Sequence, residues 1–306
     1  MTVTMRAKKQ VKYQPAKKRK IEALVLIAPY FILFFLFTVL PVLISIVTSF
    51  THFDILNMPT FAGVSNYVKL FLNDEIFTIA LKNTLIFVII TGPISYLMCF
   101  TFAWIINELP RFLRALMTLL FYAPSISGNV YFIWKIIFSG DRYGFANGIL
   151  LNLGIIQNEI IFFQDKRFIL PLLIVVQLWL SLGTGFLAFI AGLQTVDKTL
   201  YEAGAIDGLK NRWQELWYIT LPSMVPQLMF GAVIQLTSAF AVSEVSIQLA
   251  GLPSINYAGQ TIVTHLIDFG NIRFEMGYAS AIATFLFVLM ISVNKLVQRV
   301  LRGIGK

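Results

Sequence analysis

Residues 76–106 read IFTIALKNTLIFVIITGPISYLMCFTFAWII, 31 positions with one charge, Lys82, towards one end. A helix that crosses the hydrocarbon of a bilayer needs roughly 20 predominantly apolar residues. This run exceeds that length, and five more like it follow from the same reading, at about 23–49, 115–138, 169–192, 224–249 and 276–297. Backbone groups inside lipid have no water to bond, so each span must be helical. The fold class expected is an all-α polytopic membrane protein with a basic tail over 1–20 and a transmembrane domain over 21–306.

Composition agrees with the runs. The 306 residues are 58% hydrophobic and 13% charged, with a mean hydropathy of +0.77. That is about half the charge a water-facing domain carries. The net charge is +9, and eight of the 24 Lys and Arg fall within residues 1–20 with no acid among them. Such a tail suits an anionic membrane surface; with no soluble fold to shape it, nucleic-acid binding is not expected. Cys99 is the single cysteine, which excludes an intrachain disulfide. His52 and His265 show no metal-ligand spacing. The apolar run from Ala23 onward is too long for a signal peptide and is expected to remain as the first span.

Basic residues orient the spans. With six spans both termini share a side. That side then holds 17 Lys and Arg and the opposite loops hold five, or nine against five without the tail. Both termini are therefore expected in the cytoplasm. Pro29, Pro41, Pro93, Pro124 and Pro171 lie in or beside spans, where neighbouring helices tolerate them. Trp104, Trp134 and Trp179 lie towards span ends and read as interfacial anchors. The longest outer loop is 139–168, with a short helix expected within 144–156.

The cytoplasmic loop over 194–223 does not read as a plain connector. Thr199-Leu-Tyr-Glu202 fits a capping box, and Gly208 a helix stop. A second short helix fits 213–218, ended by Leu221-Pro222. Two small helices on a turn make a docking shape. Ala203, Gly204 and Ala205 carry little side chain, Glu202 and Asp207 offer charge, and Trp213, Trp217 and Tyr218 offer apolar area. The alternative is an amphipathic pair lying on lipid.

Tyr201-Glu202-Ala203-Gly204-Ala205-Ile206-Asp207-Gly208, followed by Ile219-Thr220-Leu221-Pro222, resembles the EAA loop of binding-protein-dependent ABC importer permeases. It departs from that motif at Gly204, where Ala is usual, and by one extra residue before Ile219. Phe61-Ala-Gly63-Val-Ser-Asn66-Tyr67 with Asn83-Thr84, Gly144-Phe-Ala-Asn147-Gly-Ile-Leu150 with Leu153-Gly154, and Gly251-Leu-Pro253 with Gly277-Tyr278-Ala279-Ser280-Ala281 resemble the maltose-type sugar permeases of that family. The likeness runs over about 22–300. It implies the six-helix transmembrane domain of a type I ABC importer. In that family the loop residues Tyr201, Glu202, Ala203, Gly204, Ala205, Asp207, Gly208, Trp213, Ile219, Leu221 and Pro222 would seat as coupling helices on a cytoplasmic ATPase. It further implies a dimeric ATPase that binds ATP and Mg, a second permease (usually a different chain), an extracellular or periplasmic solute-binding protein, a carbohydrate solute and a bacterial inner membrane. A glycerol phosphate is the alternative solute.

Span five is the most polar. At 100° per residue Thr237, Ala241, Glu244 and Gln248 share a stripe, with Ser238 beside it. A carboxylate deep in a span is costly unless paired or wet. Glu244 therefore either lines a solute path or bonds another helix, while Gln235 and Ser246 face the other way and pack against a neighbour. The sequence contains no Gly-x-x-x-x-Gly-Lys-[Ser/Thr] phosphate loop, so this chain is not expected to hydrolyse ATP or bind a cofactor. An ATP-independent secondary transporter, which typically shows inverted repeats, is the competing reading; no repeat is evident.

Overall fold

A computed structural model describes residues 16–302 of the chain. Contacts divide it into a unit ending at Val47 and a unit beginning at Thr48. Residues 1–15 of the expected basic tail lie outside the described residues. The rest of that tail is already helical, because the first helix begins at Ala16. It runs Ala16–Phe34, widens into a π-turn at Phe35–Val39 and closes as Leu40–Thr48. Pro41, which has no N–H to give, follows that turn, and a widened turn is a usual accommodation beside such a break. The stretch Leu24–Thr48 has a mean hydropathy of 2.7, long and apolar enough to span.

The second unit is organised around span two, Glu75–Asn107. Asp74 caps it by accepting the Phe77 N–H at 2.8 Å, in the manner of an N-cap carboxylate. Span two packs against Lys166–Leu180, Thr184–Thr195 and Val225–Phe240, with Phe87, Phe186, Phe189 and Phe240 buried between them. Span six is Met276–Arg302. Among the described residues five helices are long and apolar enough to cross a membrane, and a bent pair makes up to six.

Three of the expected spans are not single straight helices. The third is Arg111–Ile126 followed by Val130–Ile137, bent by 85°. Pro124 lacks the N–H of a continuing helix, and Ser127 is extended, so the chain turns there. Span four stops at Leu180 and restarts at Thr184, and span five stops at Phe240 and restarts at Glu244. Each break frees carbonyls that lipid cannot satisfy. Gln235 Nε2 donates to the Ser181 carbonyl at 3.1 Å and the Cys99 thiol to the same oxygen at 3.3 Å. Thr261 Oγ1 donates to the Val242 carbonyl at 2.8 Å. The two loose ends are thus closed by side chains from neighbouring elements.

Buried asparagines do the same for the loops at the Asp74 end. Asn66 Nδ2 bonds the carbonyls of Ser49 and Thr51, each at 2.9 Å. Asn83 Nδ2 reaches the carbonyls of Tyr257, Ala258 and Gln260 at 3.0–3.2 Å. Asn147 ties Ser139, Asp141 and Ile160 together. It stands on the helix Phe145–Asn152, where a short one was expected. A two-stranded hairpin, β1 (Thr51–His52) and β2 (Thr60–Phe61), pairs Thr51 with Phe61. Gly277 lets the chain pass against it: a Cβ there would collide with the Thr51 carbonyl.

Gly231 is held to a similar limit, because a Cβ would enter the Phe189 ring. Overpacking a helix contact costs about 1–3 kcal/mol. Gly231→Val should lower the thermal midpoint of the detergent-purified protein by several degrees, measured by tryptophan fluorescence.

Candidate functional site

The loop after span four folds into two helices. The first, Lys198–Ile206, is capped by Asp197, whose carboxylate accepts the Thr199 N–H at 3.0 Å. The capping box expected at Thr199–Glu202 is therefore not the start. Asp197 lies in extended backbone and takes the cap two residues earlier. At the other end Gly208 has φ +96°, Gly208 N–H bonds Ala205 O at 3.3 Å and Leu209 N–H bonds Gly204 O at 2.9 Å. That is a Schellman stop built on glycine, as the sequence indicated.

The second helix starts at Arg212 behind the cap Asn211, which accepts the Gln214 N–H at 2.9 Å. It was expected to end at Leu221-Pro222. Instead Arg212–Glu215 passes through a π-turn, Leu216–Thr220, into Leu221–Ser223, and then into span five. Pro222 sits within the first positions of that last segment, where its missing N–H costs nothing. The pair is closed by a hydrogen bond between Tyr201 Oη and Thr220 Oγ1 at 2.9 Å. Gly204 is buried, and a Cβ on it would lie 2.7 Å from Leu209 Cδ1 and 2.8 Å from Ile219 Cδ1. Gly204 and Ile219 thus hold the two helices together rather than offering an open face. Glu202, Ala203, Ala205, Ile206, Asp207, Gly208, Trp213, Trp217, Tyr218 and Pro222 are exposed, and Leu221 is half-buried.

The pair also grips the end of span two. Trp213 packs on Trp104 with ring centroids 5.2 Å apart, and Arg212 bridges Glu108 at 3.0 Å and Glu215 at 2.7 Å. A cleft behind this contact is lined by Arg111, Arg114, Lys198, Glu202, Arg212 and Glu215, among others.

In span five the stripe does not run as one helix, since the break at 241–243 resets its phase. The exposure nonetheless follows the expected sides. Ser238, Ala241, Glu244 and Gln248 are exposed and Thr237 is half-buried, whereas Gln235 and Ser246 are buried. Gln235 closes the break in span four, and the Ser246 hydroxyl donates to the Gly259 carbonyl. Among the described residues no group of three or more His, Cys, Asp or Glu could hold a metal.

The chain matches the family "Binding-protein-dependent transport system inner membrane component" over residues 102–306. The match takes in the helix pair, and two thirds of the chain. This chain belongs to that family. It is a multi-pass membrane subunit for transport rather than an enzyme. A probable ABC transporter permease protein, YesP of Bacillus subtilis, is 31% identical over 283 residues, covering 91% of this chain and 90% of its own. An arabinooligosaccharides transport system permease protein, AraP of Halalkalibacterium halodurans, is 31% identical over 290 residues, 94% and 90% of the two chains. A crystal structure of a bacterial ABC transporter involved in import of the acidic polysaccharide alginate has the same fold, with a TM-score of 0.72, 24% identity and 94% and 98% coverage.

One cluster was not foreseen. Asp74 Oδ2 accepts from Tyr278 Oη at 2.6 Å and lies 2.8 Å from His265 Nε2. Lys69 bonds Glu275 at 2.7 Å and stands 4.2 Å from the Tyr278 ring. The partners of Asp74 are 191 and 204 residues away in sequence, so no local pattern could have announced them. Burial pushes the Asp74 carboxyl up, but the bonds from His265, Tyr278 and the Phe77 N–H outweigh it and hold the value at about 2.

Two outcomes follow. Gly204→Ala should be close to neutral, because only flexible side-chain ends must move and Ala gains up to about 1 kcal/mol of helix propensity; Gly204→Phe should separate the helices and expose the loop to limited proteolysis. Asp74→Asn should cost roughly 1.5–3 kcal/mol, the worth of charged hydrogen bonds. Since the folded value is depressed, that stabilisation is full above the ordinary carboxyl value of 3.8 and is lost as pH falls from there towards about 2. The deficit of Asp74→Asn in thermal scans should thus shrink as pH falls below about 4 towards about 2.

Proposed function

We propose that this chain is the membrane-spanning permease of a carbohydrate ABC importer, driven through its helix pair by a separate ATPase. The observation that carries the reading is the shape of that pair. Two short helices, locked together by Gly204, Ile219 and the Tyr201–Thr220 bond, present a rigid exposed ridge from Glu202 to Gly208. A preformed ridge on a turn suits docking into a protein groove, since it has little ordering entropy left to lose on binding.

The remaining parts fit one scheme. Both termini and the helix pair lie in the cytoplasm, as the basic residues favour. A dimeric ATPase binds ATP and Mg there and moves the pair. A second permease completes the path, and a solute-binding protein delivers the solute outside. ATP drives transport because the closed ATPase prefers one of two permease states over the other. The relatives support a sugar. Besides the arabinooligosaccharides permease, a lactose transport system permease protein, LacF of Rhizobium radiobacter, is 31% identical over 210 residues. The half-buried hydroxyl of Thr237 and the exposed hydroxyl and amide groups of Ser238 and Gln248, beside Glu244, suit a neutral polyhydroxylated solute in the path.

A glycerol phosphate is the second reading. The sn-glycerol-3-phosphate transport system permease protein UgpA of Agrobacterium fabrum is 27% identical over 282 residues. A phosphate ester would have to pass the exposed carboxylate of Glu244, which favours the neutral sugar.

Co-expression with its ATPase checks the scheme. The unsubstituted chain should bring the ATPase through detergent purification, and Glu202→Arg with Gly208→Trp should abolish that while membrane insertion stays normal. Uptake that survives ATP depletion would instead identify a secondary transporter.

A further inference from the structure

We propose that span two is the strut that carries movement of the helix pair to the far side of the membrane, with Trp104 and Glu108 as its grip. This inference rests on the reading that the pair docks an ATPase. It concerns where the motion goes next.

Chain connectivity offers an obvious route, because the second loop helix leads directly into span five. That route is interrupted. Span five breaks at 241–243, span four, which leads into the pair from the other side, breaks at 181–183, and span three bends by 85°. A push along a broken helix is taken up at the break, where a few backbone dihedrals turn. Span two is different. It is helical over all 33 residues from Glu75 to Asn107, about 50 Å at 1.5 Å per residue. Pro93 removes one internal bond, yet the helix runs on through that level without interruption.

Both ends of this helix are held. At one end the Trp104–Trp213 ring contact and the Glu108–Arg212 ion pair join its last turn to the helix pair. At the other, Asp74 holds His265 and Tyr278, Asn83 holds the carbonyls of Tyr257, Ala258 and Gln260, and Thr84 Oγ1 accepts the Ile262 N–H at 2.9 Å. One continuous helix thus connects the helix pair to the loop before span six and to the start of span six. Span six is unbroken too, and Leu301 shares an apolar groove with Trp213 and Trp217. Among the described residues, however, no ring stack or ion pair ties it to the pair.

Trp104 and Glu108 are therefore positioning residues. They touch no solute and no nucleotide, and they act through span two. The test uses the complete transporter, assembled with its ATPase and second permease in lipid nanodiscs. Spin labels at Glu75→Cys, beside the far end of span two, and Tyr143→Cys, on the outer loop, report the distance between those elements without nucleotide and with ATP and vanadate. The distance should change on ATP–vanadate trapping. In Trp104→Ala/Glu108→Gln that change should fall below half, while the amount of co-purified ATPase and its basal hydrolysis stay at the unsubstituted level. Trp104→Phe, which keeps a ring against Trp213, should retain it. A merely structural role would lower assembly and basal hydrolysis together. Should Trp104→Ala impair assembly, Glu108→Arg at its exposed position decides by the same criterion. An unchanged response in the double variant, or no response in the unsubstituted protein, overturns the strut. Failure of any ATPase to co-purify with the unsubstituted chain overturns the docking reading beneath it instead.

Discussion

Everything in this structure depends on where the backbone carbonyls go. Inside hydrocarbon a freed carbonyl costs several kcal/mol, so a span can break only where a neighbour supplies a donor. Gln235 and Cys99 supply it for Ser181, and Thr261 supplies it for Val242. Those bonds cross between spans, so each break also fixes which helices are neighbours. Gln235 leaves no room beyond itself: a Cβ on Gly185 would lie 2.8 Å from its Nε2. The polar residues of span five thus divide by task. The buried ones, Gln235 and Ser246, maintain the architecture, and Ser238, Glu244 and Gln248 are exposed.

The same need explains the sequence motifs. Asn66, Asn83 and Asn147 each occur in a stretch that resembles the sugar permeases, and each is a buried amide bonding two or three loop carbonyls. A side-chain amide has two donors on one nitrogen, which suits a crowded loop with several unsatisfied oxygens. Gly208 has a comparable reason, its positive φ. Gly204 is a case where the residue type was read and its direction was not. It serves the contact between the two helices, and the exposed ridge is made by the residues around it.

What the sequence disclosed follows from how local each signal is. Span two was expected at 76–106 and the helix is found at Glu75–Asn107, because a long apolar run is a local statement. The breaks at 181–183 and 241–243 were not legible. Ser181-Leu-Gly183 and Ala241-Val-Ser243 look like ordinary small and apolar residues inside a span, and what closes the open carbonyls there is a donor from a distant segment. The bend after Pro124 was half legible, since the proline was noted but the extended backbone at Ser127 was not. Asp74, His265 and Tyr278 carry no pattern until folding brings them together. The contact of Trp104 with Trp213 was likewise hidden: Trp104 alone read as a membrane-interface anchor and Trp213 as part of a docking face.

A helix pair with a rigid exposed ridge either seats in a protein or lies on lipid, and the whole functional account rests on the first. The direct measurement is photo-crosslinking in the native membrane, with a photoreactive residue replacing Ala205 on the ridge and another replacing Tyr143 on the outer loop. The account predicts that the label at Ala205 captures the ATPase subunit and the label at Tyr143 does not. Capture of phospholipid alone at Ala205 would contradict it.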